Sequence, residues 1–307
     1  LWTNGLLGKV TFELDDWLVG NLRGNKALGF YGKAYNLAKM PMDIFAGVIS
    51  GIALSMYAQS FAAGYEVLER AYRLTTWLLT RIVAWSSVVV LAAAEEIVLI
   101  MLGPKWGPVP LLVRLMFLYV LGRPLFQNNA QLLVAIRQEK QMRASQLVQA
   151  AILIAVAPLA VYLRGAEGAS VAVSVMMVAG FAISQWHTSQ HVHAPLANLY
   201  LLPALLAAVL TPLTFWLGRV AGGGIIVPLL VKGAAATAAF GGATWLFERQ
   251  TVREVVDVMT ENLIRRSRFG CVPGNTHRYR RGRHPGDGLL ARQAGRRVQA
   301  PPDWPRT

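Results

Sequence analysis

Apolar stretches of transmembrane length recur along this chain from its first residues to residue 247. A helix needs about 20 mainly apolar residues to cross the hydrocarbon layer of a bilayer, so each stretch predicts a membrane span. The predicted spans are 3–23, 31–58, 74–94, 109–136, 145–163, 168–187, 196–217 and 224–247. The predicted fold is therefore all-α, a polytopic transmembrane bundle of about eight helices that fills residues 1–247.

The composition supports this interpretation. Mean hydropathy is +0.41, and 54% of the residues are apolar while only 15% are charged. Charged residues make up about a quarter of an ordinary soluble domain, so the chain is not of that class. The loops between the predicted spans are short and leave no room for a soluble catalytic domain. Any activity should lie within the bundle, and we expect neither an enzyme nor a cofactor.

The chain changes character after residue 247. Residues 248–264 place their apolar side chains on one helical face, which predicts an amphipathic helix at the membrane surface. Residues 265–307 are rich in Arg, Gly and Pro, and this composition predicts a disordered tail. The chain after residue 247 carries thirteen Arg and six acidic residues. By the positive-inside rule we expect it in the cytoplasm, and eight spans would place the first residue there too. Anionic lipid headgroups are a more economical partner for the tail than nucleic acid.

Charged and amide side chains recur at helical spacing inside three of the predicted spans. They are Lys9, Glu13 and Asp16 in the first span, where Gly20 continues the same face, Asn36, Lys39 and Asp43 in the second, and Arg114, Asn128 and Asn129 on one face of the fourth, where Arg123 is predicted to point to the opposite side. Charge inside a bilayer is costly, so such groups usually face a cavity or each other. The sequence therefore predicts a hydrated substrate cavity. Its candidate lining residues are Asp15, Asp16, Asn36, Lys39, Asp43, Arg114, Asn128 and Asn129.

A simpler interpretation of two stripes stays open. Lys9 and Glu13, and likewise Lys39 and Asp43, have the i,i+4 spacing of helix-stabilising ion pairs. A lysine near the end of a span can also extend its amine to the membrane surface. On this interpretation these charges stabilise helices and line no cavity.

Three histidines lie between the sixth and seventh predicted spans. His187 and His191 have the i,i+4 spacing of a metal-binding pair, with His193 following. No carboxylate or cysteine is near enough in the sequence to complete a ligand shell. An interfacial loop without a metal is therefore predicted. Glu95 and Glu96 are interpreted in the same way, as the solvated end of the third span.

Residues 15–43 carry a run of motifs that is similar to a known transporter family. The run consists of Asp15, Gly20, Gly24, Ala27-Leu28-Gly29-Phe30-Tyr31, Ala34-Tyr35 and Pro41. A later turn, Leu102-Gly103-Pro104-Lys105-Trp106, is also similar. In these residues the chain resembles the Wzx and WzxC-like polysaccharide exporters of the multidrug/oligosaccharidyl-lipid/polysaccharide flippase superfamily. The resemblance extends in hydropathy and order over about residues 1–250.

The resemblance implies a function. Members of this family flip lipid-linked oligosaccharides or polysaccharide precursors across the bacterial inner membrane through a bundle of fourteen spans. The anionic polyprenyl-pyrophosphate head of such a substrate would need cations, for which Lys39 and Arg114 are the candidates, and a coupling ion (H⁺ or Na⁺) could drive transport. The motif at 15–43 is similar to that of the family's seventh and eighth spans. We therefore expect a C-terminal lobe plus two extra helices, unstable and inactive without the first six spans.

Three other functions stay open from the sequence alone. An ion-coupled multidrug exporter of the same superfamily would use Asp15, Asp16 or Asp43 as its ion site. A membrane-embedded polysaccharide polymerase or ligase would call for a long external loop with Arg and His, which the predicted spans do not leave. A scaffold without transport activity would not need charged stripes that face inward.

Overall fold

The computed structural model describes residues 2–194, 197–220, 224–249 and 251–253. In these residues the regular structure is entirely helical, as predicted. The α-helices are α1 (Trp2–Ala63), α2 (Tyr65–Ala92), α3 (Ala94–Met101), α4 (Val109–Leu115), α5 (Phe117–Ala135), α6 (Glu139–Arg164), α7 (Ala166–Ser189), α8 (Leu202–Val220) and α9 (Ile226–Phe247). A 3-10 turn (Pro104–Trp106) precedes α4, and a π-helical turn (Ala197–Leu201) precedes α8.

Helix α1 consists of two helices that meet at Gly24. Gly24 has φ 81° and ψ 171°, a conformation that glycine adopts without the clash a Cβ would cause. The Tyr31 hydroxyl donates a hydrogen bond to the Asp15 carboxylate, although a straight helix would separate positions 16 residues apart by about 24 Å. The chain therefore reverses direction at Gly24. The two halves, 2–23 and 25–63, match the first two predicted spans, but the connection is much shorter than the predicted turn at 20–29.

Among the described residues, five helices are long and apolar enough to cross a membrane. They are α2, α6, α7, Leu199–Val220 and Ile226–Leu246, and α4 together with α5 makes a sixth if the bent pair counts as one span. The halves of α1 are not among them, since the first carries Lys9, Glu13, Asp15 and Asp16 within eight positions. The described part of the chain is thus a multi-pass helical bundle with five or six clearly apolar spans and a more polar α1 hairpin.

The fourth predicted span, 109–136, is broken in the structure. Helices α4 and α5 meet at an angle of 46°, and Met116 between them has φ −84° and ψ 5°. Arg114 lies before this break, whereas Asn128 and Asn129 lie after it in α5. The prediction that these three side chains share one helix face is wrong, because the face does not continue through Met116.

The core has two main parts. The larger one packs α1, α4, α5, α6 and α7 around fully buried side chains, among them Val19, Tyr31, Ala34, Val109, Met116, Tyr119, Ala157 and Ala169. The smaller one packs α2 against α8 and α9 through Ala84, Val88, Leu210, Ala236 and Phe240. Buried alanines are frequent in both parts. Small side chains let helices approach closely, which favours association inside a membrane, where lipid is as apolar as the side chains themselves.

Contacts between distant parts of the chain define two ends of the bundle. At the Gly24 end, Arg23 Nε donates to the Val161 carbonyl at 3.2 Å, and the Phe30 and Trp106 rings lie edge to face at 5.6 Å. At the Gly64 end, Tyr65 contacts His193 and His191 contacts Gln141. The α1 turn, the 3-10 turn and the α6–α7 connection therefore all lie at the Gly24 end. The Gly64 end collects the α1–α2, α5–α6 and α7–α8 connections.

The predicted division of the chain at residue 247 stays a prediction. The chain separates into the compact units Leu1–Glu248 and Arg249–Thr307. Of the predicted surface helix at 248–264, the structure describes only Glu248, Arg249 and residues 251–253. The predicted disordered tail at 265–307 lies outside the described residues.

Candidate functional site

The polar stripe of α1 lies mostly at the surface of the described chain. Asp16 and Asn36 are exposed. Lys39 Nζ lies 3.4 Å from Asp43 Oδ2, with side-chain exposures of 33% and 61%. The predicted i,i+4 pair is therefore formed, and Lys39 remains accessible. The side chain of Lys9 lies outside the described side chains, and Glu13 is exposed.

Asp15 is buried, in contrast to its neighbour Asp16. Only 3% of the residue is exposed, and its Oδ2 accepts the hydrogen bond from Tyr31. Its Oδ1 is buried and accepts no hydrogen bond of good geometry from the described residues. A carboxylate oxygen with an open acceptor position can take a proton or a cation.

A cluster of two tyrosines and one arginine extends from Asp15 and Tyr31 towards α5. The Tyr35 and Tyr119 hydroxyls are hydrogen-bonded to each other. Arg123 Nη1 donates to the Tyr35 hydroxyl at 3.0 Å and also to the Tyr119 hydroxyl. The Arg123 guanidinium lies 5.5 Å from the centre of the Tyr119 ring, within cation–π range. This Tyr35–Tyr119–Arg123 cluster places a half-buried cation beside α1.

The cluster was missed in the sequence, where Arg123 was predicted to point away from the polar face. Tyr31 and Tyr35, and likewise Tyr119 and Arg123, have i,i+4 spacing. Side chains at this spacing lie on one face of a helix. A polar stripe that includes tyrosine hydroxyls groups Tyr119 with Arg123 on one face of α5, and the packing of α5 against α1 then brings this face to Tyr35.

Asn128 and Asn129 are buried at the centre of a second polar network. Asn128 accepts from the Tyr57 hydroxyl at 2.8 Å and donates to Thr76 Oγ1 at 3.0 Å. Asn129 accepts from the Tyr72 hydroxyl at 2.8 Å and donates to Gln185 Oε1 at 3.0 Å. The two asparagines thereby connect α5 with α1, α2 and α7.

Both asparagine amides have their hydrogen-bonding capacity used inside the bundle. Gln185 Oε1 also accepts from the Tyr200 hydroxyl at 3.0 Å, which extends the network to the π-helical turn. Amide groups paired in this way hold helices together and have little capacity left for a ligand. The structure therefore favours a packing role for Asn128 and Asn129, and their role in a cavity stays a prediction.

Arg114 belongs to a third group, near the ends of α2 and α8. Its Nη2 lies 3.0 Å from Glu95 Oε1, and its guanidinium lies 5.4 Å from the centre of the Phe215 ring. On the same ring, Lys232 Nζ lies at 5.3 Å and the Arg219 guanidinium at 4.5 Å. We call Arg114, Phe215, Arg219 and Lys232, with Glu95 and Glu96, the Phe215 cluster. Glu95 and Glu96 are therefore more than a solvated span end, since each pairs with a cation from another helix.

A buried ion pair connects α2 with the end of α9. Arg81 Nε donates to Glu248 Oε2 at 3.0 Å, and Trp77 Nε1 donates to the same oxygen at 3.0 Å. Arg81 Nη1 also donates to the Leu199 carbonyl at 3.0 Å. The side chains of Arg81 and Glu248 are only 7% and 14% exposed. No local pattern predicts this pair, because its two residues are 167 positions apart.

The histidines make contacts within the protein at the Gly64 end. His191 Nε2 lies 2.9 Å from Gln141 Oε1, and the Tyr65 hydroxyl lies 2.6 Å from His193 Nδ1. Burial, together with the nearby His187, lowers the pKa of His191 from its usual value. Among the described residues, no group of three His, Cys, Asp or Glu could hold a metal ion.

Two comparisons with known proteins bear on this arrangement. The model of the family described as "Polysaccharide biosynthesis protein" matches residues 1–110, which include the α1 hairpin and α2. The solved structure of the lipid II flippase MurJ, in an inward closed conformation, has a similar fold with a TM-score of 0.65. It is 13% identical in sequence, and the match covers 80% of this chain and 52% of that one. No curated protein sequence matches the chain.

The chain has a MurJ-like fold. The predicted resemblance is confirmed as a resemblance: residues 1–110, which carry the motifs, match polysaccharide biosynthesis proteins, and most of the chain has the fold of a lipid II flippase. The chain spans about half the length of the flippase it matches. Within this MurJ-like bundle, Asp15, Tyr35 and Arg123 form the polar group that lies inside the family match or against it.

Proposed function

We propose that this chain is part of a transporter that flips a lipid-linked oligosaccharide or polysaccharide precursor across the bacterial inner membrane. The MurJ-like fold supports this proposal most directly, since the structurally similar protein is a lipid II flippase. The match of residues 1–110 to polysaccharide biosynthesis proteins supports the same substrate class. In such a transporter the polar head crosses the membrane through a polar path between helices, while the lipid chain remains in the bilayer.

The head of a polyprenyl-pyrophosphate substrate is anionic and needs cations along its path. Lys39 is accessible on α1, where its side chain is 33% exposed. It lies one helical turn after Tyr35, whose hydroxyl accepts a hydrogen bond from Arg123. We therefore assign the first contact with the head to Lys39, with Arg123 as the neighbouring cation. Asp16, Asn36 and Asp43 complete this exposed face as candidates for sugar hydroxyls.

Asp15, Asn128 and Asn129 act differently in this proposal. All three are buried and hydrogen-bonded to tyrosines. They position α1, α2 and α5 and make no contact with the head. Arg114 lies in the Phe215 cluster, paired with Glu95, and we propose that it affects transport less than Lys39 does.

Complementation of a flippase-deficient strain tests the assignment. The gene is expressed in its native context with Lys39→Ala, Arg123→Gln or Arg114→Ala, and with Lys140→Ala as the matched control. Lys140 is an exposed cation in the first turn of α6, away from the α1 face. We expect loss of complementation for the first two variants at normal expression, and full complementation for the control. Full complementation by both Lys39→Ala and Arg123→Gln would remove this face from the mechanism.

An ion-coupled exporter of drugs is the second candidate, and one observation favours ion coupling. The buried Oδ1 of Asp15 has an acceptor position that the described residues do not fill. In proteoliposomes, transport by the complete transporter should depend on a H⁺ or Na⁺ gradient, and Asp15→Asn should abolish that dependence. Export of a cationic dye at the rate of the lipid-linked substrate would favour the drug exporter. Transport of the lipid-linked substrate alone would favour the flippase.

A further inference from the structure

The Phe215 cluster contains more positive charge than the described protein neutralises. Its three cations come from α4, α8 and α9 and lie 4.5–5.4 Å from the centre of one phenylalanine ring. Glu95 pairs with Arg114 at 3.0 Å, and Glu96 pairs with Lys232 at 2.5 Å. Arg219 has no carboxylate partner among the described residues, and it is exposed. The cluster therefore has a net charge of about +1, three cations against two carboxylates.

Arg114 also has unused hydrogen-bonding capacity. Its Nη2 atom is buried and lies 3.0 Å from Glu95, but it makes no aligned hydrogen bond with the described residues. The 3.0 Å distance between Arg114 Nη2 and Glu95 Oε1 makes an ion pair. The N–H groups of Nη2 are not aligned with a described acceptor, so they remain able to donate. A guanidinium in this state can still donate to another oxygen anion.

Lys232 is held in place by the packing of α8 against α9. Its side chain is 3% exposed, and Nζ donates to the Ala92 carbonyl at 2.9 Å in addition to Glu96. The lysine stem crosses α8 at Gly218, where a Cβ would lie 2.1 Å from Cε. Only glycine leaves this path free. The buried cation and the glycine that admits it indicate a built site and not a chance grouping of surface charges.

The surroundings of the cluster are those of a lipid. Arg219 lies one residue before the end of α8, and Lys232 is in the second turn of α9. Helix ends in a multi-pass protein lie near the headgroups. Large apolar side chains beside the cluster are exposed, namely Trp216, Val220, Ile226 and Leu230. A tryptophan at such a position is typical of the membrane interface.

We infer that Arg219, with Arg114 and Lys232, binds the phosphate group of an anionic membrane lipid at the end of α8. The phosphate oxygens would accept hydrogen bonds from the N–H groups of Arg114 and Arg219. The acyl chains would cover the exposed apolar residues of α8 and α9. Basic pockets between transmembrane helices commonly bind lipid headgroups in this way. A zwitterionic lipid carries its own cation, so a lipid with net negative charge is favoured. This inference does not depend on the proposed transport.

Native mass spectrometry of the full chain tests the inference. The purified protein is titrated with phosphatidylglycerol, with phosphatidylcholine of the same acyl chains, and with inorganic pyrophosphate as the source of phosphate without lipid. We expect phosphatidylglycerol to bind preferentially, and Arg219→Gln to weaken its binding by roughly ten-fold, the loss of one charge-assisted interaction. Arg219→Lys should restore part of the affinity because it keeps the charge. The control is Arg143→Gln, which removes another exposed arginine, at the Gly64 end.

Arg219 makes no ion pair with the described residues, so its replacement should leave the fold intact. Equal binding of phosphatidylglycerol by the wild type, Arg219→Gln and Arg143→Gln would overturn the inference. So would equal binding of the two lipids. Displacement of phosphatidylglycerol by inorganic pyrophosphate at similar concentration would show a site for free phosphate, and would overturn the assignment to a lipid.

Discussion

Asn129 connects three helices of the bundle, α2, α5 and α7, through buried hydrogen bonds. It is fully buried and exchanges hydrogen bonds with Tyr72, Ser184 and Gln185. The helices that provide these partners are α2 and α7. Inside a membrane such a network has no water to replace it, so its loss leaves polar groups unsatisfied.

We expect Asn129→Leu to lower the free energy of unfolding by about 1–3 kcal/mol, because Tyr72, Ser184 and Gln185 each lose a partner. The measurement is reversible unfolding of the purified chain by a denaturing detergent. Gln127→Leu is the control, since Gln127 is exposed two positions away on the same helix. A control that unfolds as easily as Asn129→Leu would assign the effect to helix α5 itself and not to the network.

Arg81 and Glu248 provide a second test at this scale. Removing one partner of a buried ion pair leaves an uncompensated charge, and this typically costs about 3–5 kcal/mol. Arg81→Met should therefore destabilise the chain strongly and free the end of α9. Arg143→Met removes an exposed i,i+4 pair with Glu139 (side chains 45% and 58% exposed), and should cost about 0.5 kcal/mol or less. If both variants lowered the free energy of unfolding by a similar amount, the claim that burial makes the Arg81–Glu248 pair important would be wrong.

At the scale of elements, His191 joins the segment between α7 and α8 to the first turn of α6. Burial lowers the pKa of this histidine, which hydrogen-bonds Gln141 near the start of α6. Its folded pKa thus lies below the unfolded value of about 6.5. The unfolded state binds more protons in this window, so stability is complete above pH 6.5 and decreases as the pH falls through the folded pKa.

We expect the Gly64 end to open locally below about pH 6.5. Hydrogen exchange of backbone amides in residues 139–143 and 189–193 should accelerate on acidification, while exchange in the core of α5 should not change. His191→Gln keeps a hydrogen-bonding partner for Gln141 but does not titrate, so its exchange should be independent of pH after correction for the intrinsic rate. A pH response that persists in His191→Gln would show that His191 is not its cause.

The apolar pattern predicted most helices of this fold, because length and hydropathy determine which segments can span a membrane. It also placed a turn near Gly24 from local glycine content. It could not predict the break at Met116, where no Pro or Gly interrupts the apolar run. That break separates Arg114 from Asn128 and Asn129. It is therefore the main reason why the predicted single polar face is three separate groups in the structure.

The partners of the charged residues could not be predicted for a different reason. Arg81 pairs with Glu248 and Lys232 with Glu96 at separations of 167 and 136 positions. Helical spacing reports only on neighbours within one helix, so it found Lys39–Asp43 and missed both of these pairs. The Tyr35–Arg123 contact could not be predicted either, because it joins two different helices, α1 and α5. The sequence shows which residues can form ion pairs and hydrogen bonds, but the packing of the helices determines which of them come into contact.

At the scale of the whole molecule, the two ends of the bundle differ in charge. The Gly64 end carries Arg70, Arg73, Arg137, Lys140 and Arg143 in or beside its connections. The connections at the Gly24 end carry Lys105, Arg164 and Arg219 singly, besides Arg23 and Lys26 in the α1 turn. Connections on the cytoplasmic side of membrane proteins carry the denser groups of Lys and Arg. We therefore predict that the Gly64 end faces the cytoplasm and the Gly24 end the opposite side.

Cysteine accessibility in intact cells tests this orientation. The single cysteine, Cys271, is first replaced by Ser, and Lys105→Cys, Arg164→Cys and Lys140→Cys are made separately in that background. All three positions are exposed on the protein. Whether each thiol reacts with the reagent therefore depends only on the side of the membrane on which it lies. The thiols at 105 and 164 should react with an impermeant reagent added outside. The thiol at 140 should react only after the membrane is permeabilised, because it lies with His191 and Gly64 at the other end. Labelling of 140 and protection of 105 and 164 would invert the orientation, and it would also move the proposed lipid site at Arg219 to the cytoplasmic leaflet.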